Sequence, residues 1–170
     1  MNILLVGNGG RENALAWRIV TSPSFRDSGS KMYCTIGSPG IDPFAEPIDI
    51  KPDDINALVG FAKQNNIDFT VVGPEIPLAM GIVDEFEKNG LKVFGPSKAA
   101  SRIESSKKYA KDLMRSHGIP TAAFQTFDKN TMSEAEAYLH SVNYPVVIKA
   151  DGLAAGKGVI IANDFDEAFS

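Results

Sequence analysis

At 170 residues the chain has material for one good core or two small domains. Apolar residues make up 44% and charged residues 22%, the balance of a soluble globular protein, and the net charge of −4 is spread without any block of like sign. That argues against nucleic acid as the main partner, which wants a concentrated basic face. The single cysteine, Cys34, excludes an internal disulfide framework and a cysteine-rich metal site, and reads as a small apolar residue in a buried strand. Met1–Gly7 is apolar but short, has no basic leader and runs straight into a turn. No run approaches the roughly 18 apolar residues that a membrane span needs. A cytoplasmic protein with no membrane partner is expected.

In chain order, Asn2–Val6 is an apolar run closed by Gly7 and reads as a buried strand. Gly9-Gly10 turns the chain into a helix from Arg11 to about Val20, with Leu15, Ile19 and the Trp17–Val20 stretch as packing residues. Met32–Ile36 is a second strand, and Ile48–Ile50 a short third. Pro52-Asp53-Asp54 caps a helix whose apolar face is Ile55, Leu58, Val59 and Ala62. Asp68–Val72 is a strand, Ile76–Lys88 one helix stopped by Asn89-Gly90, and Lys92–Phe94 a strand. Strands alternating with helices predict a parallel sheet covered on both faces.

After Pro96 the pattern changes. Ser97–Ile103 and Ser106–His117 read as helices, Phe124–Phe127 as a strand, and Ser133–Ser141 as a helix capped by Ser133. Strands at Pro145–Lys149 and Gly158–Ala162 flank a tight loop and must be antiparallel. A domain boundary is expected between about 97 and 122. Asn163-Asp164 caps a last amphipathic stretch that stops at Ser170 early in its course, which reads as a chain cut from something longer.

Three segments carry candidate chemistry. Gly7-Asn8-Gly9-Gly10-Arg11-Glu12 lies between the first strand and helix, where backbone amides can hold an anion. It approaches the dinucleotide fingerprint, but Glu12 stands at the sixth position, where it would repel a pyrophosphate. The second strand ends without the acid that would take a ribose, and Asp27, at the right distance in sequence, lies in a loop before it. A small phosphate beside an amine or hydroxyl fits better, with the amides and Arg11 on the phosphate and Glu12 on the polar end. Gly73-Pro74-Glu75 follows a parallel strand and falls on the same sheet edge, as does Ser38-Pro39-Gly40; three such turns on one edge predict a cleft.

The third segment is Lys149-Ala150-Asp151-Gly152-Leu153-Ala154-Ala155-Gly156-Lys157-Gly158. Small residues let amides approach phosphate oxygens, and Lys149 and Lys157 supply cations for phosphoryl transfer. It is not a Walker loop: three residues, not four, stand between Gly152 and Gly156, no helix follows, and Gly158 stands where Ser or Thr would bind magnesium. Its composition is that of a segment mobile without ligand. His117 and His140 sit near helix ends, a placement that needs no ligand. No metal-ligand spacing and no nucleophile–base pair is seen.

Taken together, GNGGREN, VGPEIPL with GIVDEF, FGPS, ESSKKYAKD, GIPTA and VIKADGLAAGKGVI resemble, in this order over essentially the whole chain, the glycinamide ribonucleotide synthetases (phosphoribosylamine–glycine ligases) of the ATP-grasp superfamily. The resemblance implies an α/β fold. A Rossmann-like pre-ATP-grasp domain at 1–102 would hold substrate, a helical connector would span 103–122, and 123–170 would begin the antiparallel small lobe of an ATP-grasp domain. It implies a magnesium- and ATP-dependent ligase of purine biosynthesis. Glycine becomes glycyl phosphate, and the amine of 5-phosphoribosylamine attacks it to give glycinamide ribonucleotide, ADP and phosphate. By position Lys107 and Lys149 match ATP-contacting lysines, Gly152–Gly158 with Asp151 the phosphate loop, and Gly9, Gly10, Glu12 and Glu75 the ribose-phosphate edge. Magnesium ligands are expected beyond residue 170, and the chain by itself is expected to be inactive. It departs from the family at Asn13, where histidine is common, and at Ser38–Asp42, where PGNAG-like residues are. Another ATP-grasp carboxylate–amine ligase and a non-catalytic nucleotide-binding module remain open as alternatives.

Overall fold

A computed structural model describes residues 1–26, 29–154 and 157–169. The chain divides into two compact units, Met1–Ser101 and Arg102–Ser170.

In the first unit, β1 (Asn2–Val6) leads through Gly9 into α1 (Gly10–Val20), a short α2 (Pro23–Arg26) and β2 (Lys31–Thr35). Then follow β3 (Glu46–Ile48), α3 (Ile55–Gln64), β4 (Phe69–Val72), α4 (Glu75–Met80), α5 (Ile82–Lys88) and β5 (Val93–Phe94). The strands form one parallel sheet in the order β3-β2-β1-β4-β5. From β1 the chain builds outward on one side, then returns to build on the other, so the strand order reverses at the β1/β4 pair. Open α/β sheets bind ligands at the carboxyl ends of strands at such a switch.

The apolar run of β1 is continuous because both its faces are covered. Leu4 and Val6 point into a cluster with Leu58, Val59, Ala62, Ile82 and Phe86 from α3 and α5. Ile3 and Leu5 point the other way, toward Ala16 of α1 and Met32, Cys34 and Ile41. A strand's two-residue period thus splits five residues between two cores. Cys34 is buried. The Asp54 carboxylate caps α3 by accepting the Ala57 amide at 3.1 Å.

The second unit begins in α6 (Lys98–Ser105), which carries the chain across the division. It continues through α7 (Lys107–Ser116), α8 (Met132–Ser141) and the antiparallel hairpin of β6 (Val146–Lys149) and β7 (Val159–Ala162), ending in α9 (Phe165–Phe169). In the hairpin Val146 pairs with Ala162 and Lys149 with Val159.

Several expectations need correction. The helix expected over Ile76–Lys88 is broken at Gly81, whose φ of +101° suits glycine and both ends α4 and starts α5. The third strand is Glu46–Ile48, three residues set by pairing with Tyr33–Thr35, and so precedes the apolar pattern read at Ile48–Ile50. Phe124–Phe127 is not a strand. Lys111 on α7 binds Thr121 and the Ala122 carbonyl, Arg115 stacks 4.1 Å over the Phe124 ring, and the two phenylalanines are three apart, a spacing that does not alternate. Ser133 does not cap α8. The cap position falls to Thr131, whose hydroxyl is taken up by the Asp128 amide and carbonyl. Trp17 is 54% exposed: Ala16 is the residue of that turn which faces the sheet.

Two substitutions should read this packing in urea unfolding. Phe86→Ala, which empties a fully buried site among two helices and a strand, should cost about 3–5 kcal/mol. Gly60→Ala, within α3 and with open space where its Cβ would lie, should instead stabilise by about 0.4–1 kcal/mol.

Candidate functional site

The carboxyl ends of β1 and β4 open into a cleft of about 460 Å³ lined by Gly7, Asn8, Gly9, Arg11, Glu12, Pro74, Glu75, Ile76 and Pro77, with Ile36, Lys51, Pro52 and Asp53. Both N-terminal segments singled out in the sequence contribute to it. Gly10 and Gly73 are absent from the lining, and the Ser38–Gly40 turn does not reach it.

Glu12 is the centre of this construction. It is only 4% exposed. One carboxylate oxygen, Oε2, accepts the Gly9 amide at 2.8 Å, so the third helical residue satisfies the amide at the cap position. A Cβ added at Gly7 or Gly9 would fall within 2.7 and 3.0 Å of this side chain, and one at Gly73 would fall on its carboxylate. Gly73 is thus required by Glu12, Gly7 by Glu12 together with Pro74 and a φ of +113°, and at Gly9 the fit would be tight. Gly10 differs: a Cβ there would meet nothing within 4 Å, so no protein neighbour demands glycine. The other oxygen of Glu12, Oε1, is buried and accepts no hydrogen bond among the described residues; its nearest cation is Arg11 Nε at 3.7 Å.

Arg11 spans the two turns. Its guanidinium donates to the Gly73 carbonyl at 2.9 Å and lies 3.3 Å from the Glu75 carboxylate. The first helical hydrogen bond of α1 runs from the Asn13 amide to the Gly9 carbonyl, so the Gly10, Arg11 and Glu12 amides precede the ladder and point out of the helix N-terminus. The turn is anchored from behind: the Gly7 amide donates to the buried Thr35 hydroxyl at 2.7 Å, and the Gly73 amide to the Val6 carbonyl at 3.0 Å.

Sequence reasoning missed Thr35, Lys51, Asp53 and Ile36. Ile36 is a β-branched residue held at φ +56°, with its amide bound to the Ile48 carbonyl at 2.8 Å and its side chain on the cleft. Such a backbone is strained and gathers at functional sites. Its one sequence signal was its place at the carboxyl end of a parallel strand. Asp27 lies outside the described residues.

In the second unit, Lys149 ends β6 opposite Val159, and the Ala150 amide bonds the Gly158 carbonyl at 2.8 Å to begin the loop. Gly158 is pressed between the Ala150 and Ala154 methyls, and Gly152 takes a φ of +92°. Lys107, the first residue of α7, donates to the Gly152 carbonyl at 2.8 Å. Asp151 turns toward α7: its carboxylate accepts the Ser106 hydroxyl at 3.1 Å and the Lys108 amide at 3.2 Å. Desolvation alone would raise its pKa. The Lys108 amide, the Ser106 hydroxyl and the Gly152 and Lys107 amides outweigh this and hold it below the ordinary aspartate value. With the folded value the lower, this contribution is present above the unfolded pKa and is lost as pH falls through the folded one. Among the described residues Lys149 and Lys157 make no ion pair. Gly156, expected in the phosphate loop, lies outside the described residues together with Ala155. His117 and His140 have plain surroundings: His117 Nδ1 lies 3.0 Å from the Leu113 carbonyl, and His140 stacks on Phe165 at 3.9 Å.

Comparison with known proteins agrees along the whole chain. Residues 1–104 match the family described as Phosphoribosylglycinamide synthetase, N domain, and residues 105–170 its ATP-grasp (A) domain. A phosphoribosylamine–glycine ligase of Brucella melitensis is 49% identical over 99% of this chain, and one of Caldanaerobacter subterraneus is 52% identical over 99%. The crystal structure of phosphoribosylamine–glycine ligase from Thermotoga maritima matches with a TM-score of 0.71 at 30% identity, covering 99% of this chain and 37% of that one. A carboxyaminoimidazole ribonucleotide synthase from Aspergillus clavatus, complexed with ATP, shares the fold at a TM-score of 0.70 and 21% identity, covering 98% of this chain and 42% of that one. The chain spans 38% and 39% of the length of the two curated relatives. By these matches, and by the α/β fold and cleft they accompany, the chain belongs to the phosphoribosylglycinamide synthetase family.

Proposed function

We propose that this chain serves an ATP-dependent carbon–nitrogen ligase that joins glycine to 5-phosphoribosylamine, giving glycinamide ribonucleotide, ADP and phosphate in purine biosynthesis. The observation that carries the reading is the buried Glu12 oxygen without a hydrogen-bond donor, beside the open N-terminus of α1. A buried carboxylate oxygen left unpaired is costly, and an amine is the donor it lacks. The Gly10 and Arg11 amides next to it suit a phosphate, and the bare Cα of Gly10 leaves room for one to approach. One small molecule carrying both a phosphate and an amine satisfies both demands. A dinucleotide would meet no acid at the end of β2, which closes on Thr35-Ile36.

The chemistry needs charge neutralisation and alignment rather than a protein nucleophile. The γ-phosphoryl group passes from ATP to a glycine carboxylate oxygen and ADP leaves. The amine nitrogen then forms a bond to the glycyl carbon as the carbon–oxygen bond to phosphate breaks, and the nitrogen loses a proton. Lys107, Lys149 and Lys157, with the amides of the Asp151–Gly158 loop, would offset the charge on the transferring phosphoryl group. Arg11, tied to Gly73 and Glu75, would hold the two turns of the cleft in register around the substrate. Magnesium would supply further neutralisation of the nucleotide. The described residues offer no cluster of three or more metal-binding side chains, and Asp151 is engaged with α7. No helix among the described residues is long and apolar enough to cross a membrane. With soluble small molecules as substrates, the reading puts the enzyme in the cytosol, away from nucleic acid and membrane.

Full-length protein should release ADP only when glycine and phosphoribosylamine are both present; ADP release indifferent to either one sinks the reading. The 170-residue chain alone should show no turnover in the same assay. Lys149→Glu in the full-length protein should reduce turnover by about a hundredfold or more, through reversed charge at the phosphoryl group. Gly73→Ala should push the Glu12 carboxylate aside, raising KM for the amine substrate more than KM for ATP; equal effects on both would remove Glu12 from the amine site.

A further inference from the structure

An acid inside a loop meant for phosphates is a contradiction that the geometry resolves. Free in that loop, the Asp151 carboxylate would repel a triphosphate. Instead it reaches across 45 residues of sequence to Ser106 and across 43 to Lys108, accepting a hydroxyl and an amide at the N-terminus of α7. Ser106 is the residue that caps α7, its own oxygen accepting the Tyr109 amide at 3.1 Å, so cap and carboxylate share one small network. A helix N-terminus is where a negative charge is best tolerated. Between Ser106 and Lys108 lies Lys107, whose amine is fixed on the Gly152 carbonyl at 2.8 Å, one residue beyond Asp151. Two adjacent residues of the loop are thus joined to three adjacent residues of the helix.

We propose that Asp151 is a positioning residue: it latches the start of the glycine loop to the N-terminus of α7 and thereby sets the Lys107 amine at the loop for a nucleotide phosphate. This rests on the reading that Lys107 contacts ATP. Asp151 itself does not touch the nucleotide. Its carboxylate is spent on the helix, and this lets an acid stand beside phosphates without repelling them. A phosphate then replaces the Gly152 carbonyl as the partner of Lys107, while the latch keeps the lysine from swinging into solvent.

A double-mutant cycle on the full-length protein tests this, with ATP affinity measured by titration calorimetry and the thermal midpoint recorded for each variant. Lys107→Ala and Asp151→Ala should each weaken ATP by about tenfold, and the double variant should be no weaker than Lys107→Ala within about twofold, because residues acting through one another are not additive. Ser106→Ala, which removes one donor to Asp151 together with the α7 cap but leaves the Lys108 amide on the carboxylate, should give a smaller loss that also vanishes in the Lys107→Ala background. Should Asp151→Ala not fold, Asp151→Asn and Ser106→Ala complete the cycle. Undiminished ATP affinity in Lys107→Ala overturns the reading of Lys107 itself. A tenfold loss from Asp151→Ala that persists undiminished without Lys107 overturns the latch and places Asp151 on the nucleotide or its metal. No loss from Asp151→Ala, with Lys107→Ala weakened, overturns the latch as well.

Discussion

The Glu12 carboxylate lies where the ends of β1 and β4 meet the start of α1, and the turns around it are shaped to it. Taking a carboxylate out of water is expensive, and only part of that cost is offset here, by the Gly9 amide and by Arg11 at 3.7 Å. The burial is possible because Gly7 and Gly73 carry no side chains, which would collide with it, and because Gly9 spares its oxygen a tight contact. It is specific because Val6 pairs with Val72, so that the first residues beyond both strands arrive at the same level. Strand register, glycine placement and the buried acid are thus one arrangement. Arg11 closes it by linking the acid's helix to the Gly73 carbonyl.

The second unit uses an acid with the opposite emphasis. Glu12 spends one oxygen on its helix and keeps the other for a donor. The Asp151 oxygens are both turned to α7, at 3.1 and 3.2 Å. In each case the acid settles against a helix N-terminus, where the backbone dipoles favour it. The difference lies in what stays open beside it: an acceptor and amides in the first unit, cations in the second. An acceptor suits an amine, and cations suit a polyphosphate.

Much of this fold could be read from residue order, because the strongest signals are local. The five residues of β1, the Asp54 cap and the alternation of strand and helix through Phe94 follow from periodicity and capping chemistry. What escaped depended on partners distant in sequence. Phe124 has the residue type of a strand, but Arg115 and Lys111 hold its segment against α7. Ile76–Lys88 reads as one helix, but the positive φ of Gly81 splits it. Glu12 was recognised as an obstacle to a pyrophosphate, but its burial could not be, since that needs Gly73, brought beside it by sheet pairing alone. Thr35 and Ile36 carried no motif; their roles come from ending a strand next to β1.

The two departures from the family pattern illustrate the same point about distance. Asn13 and the Ser38–Asp42 segment are unrelated in sequence, but they touch: the Asn13 side chain lies directly against the Cα of Gly40, which leaves no room for a Cβ there. The segment is closed from within by Asp42, which accepts the Ser38 amide at 2.9 Å, while Ile41 drops into the core. An amide is smaller than an imidazole, so a change at 13 is felt first by whatever backbone packs on it, and that backbone is the other departure. Neither Asn13 nor Gly40 lines the cleft. Asn13 and Gly40 thus pack on one another behind the ligand-facing residues, and Gly9, Arg11, Glu12 and Glu75 line the cleft in front of them.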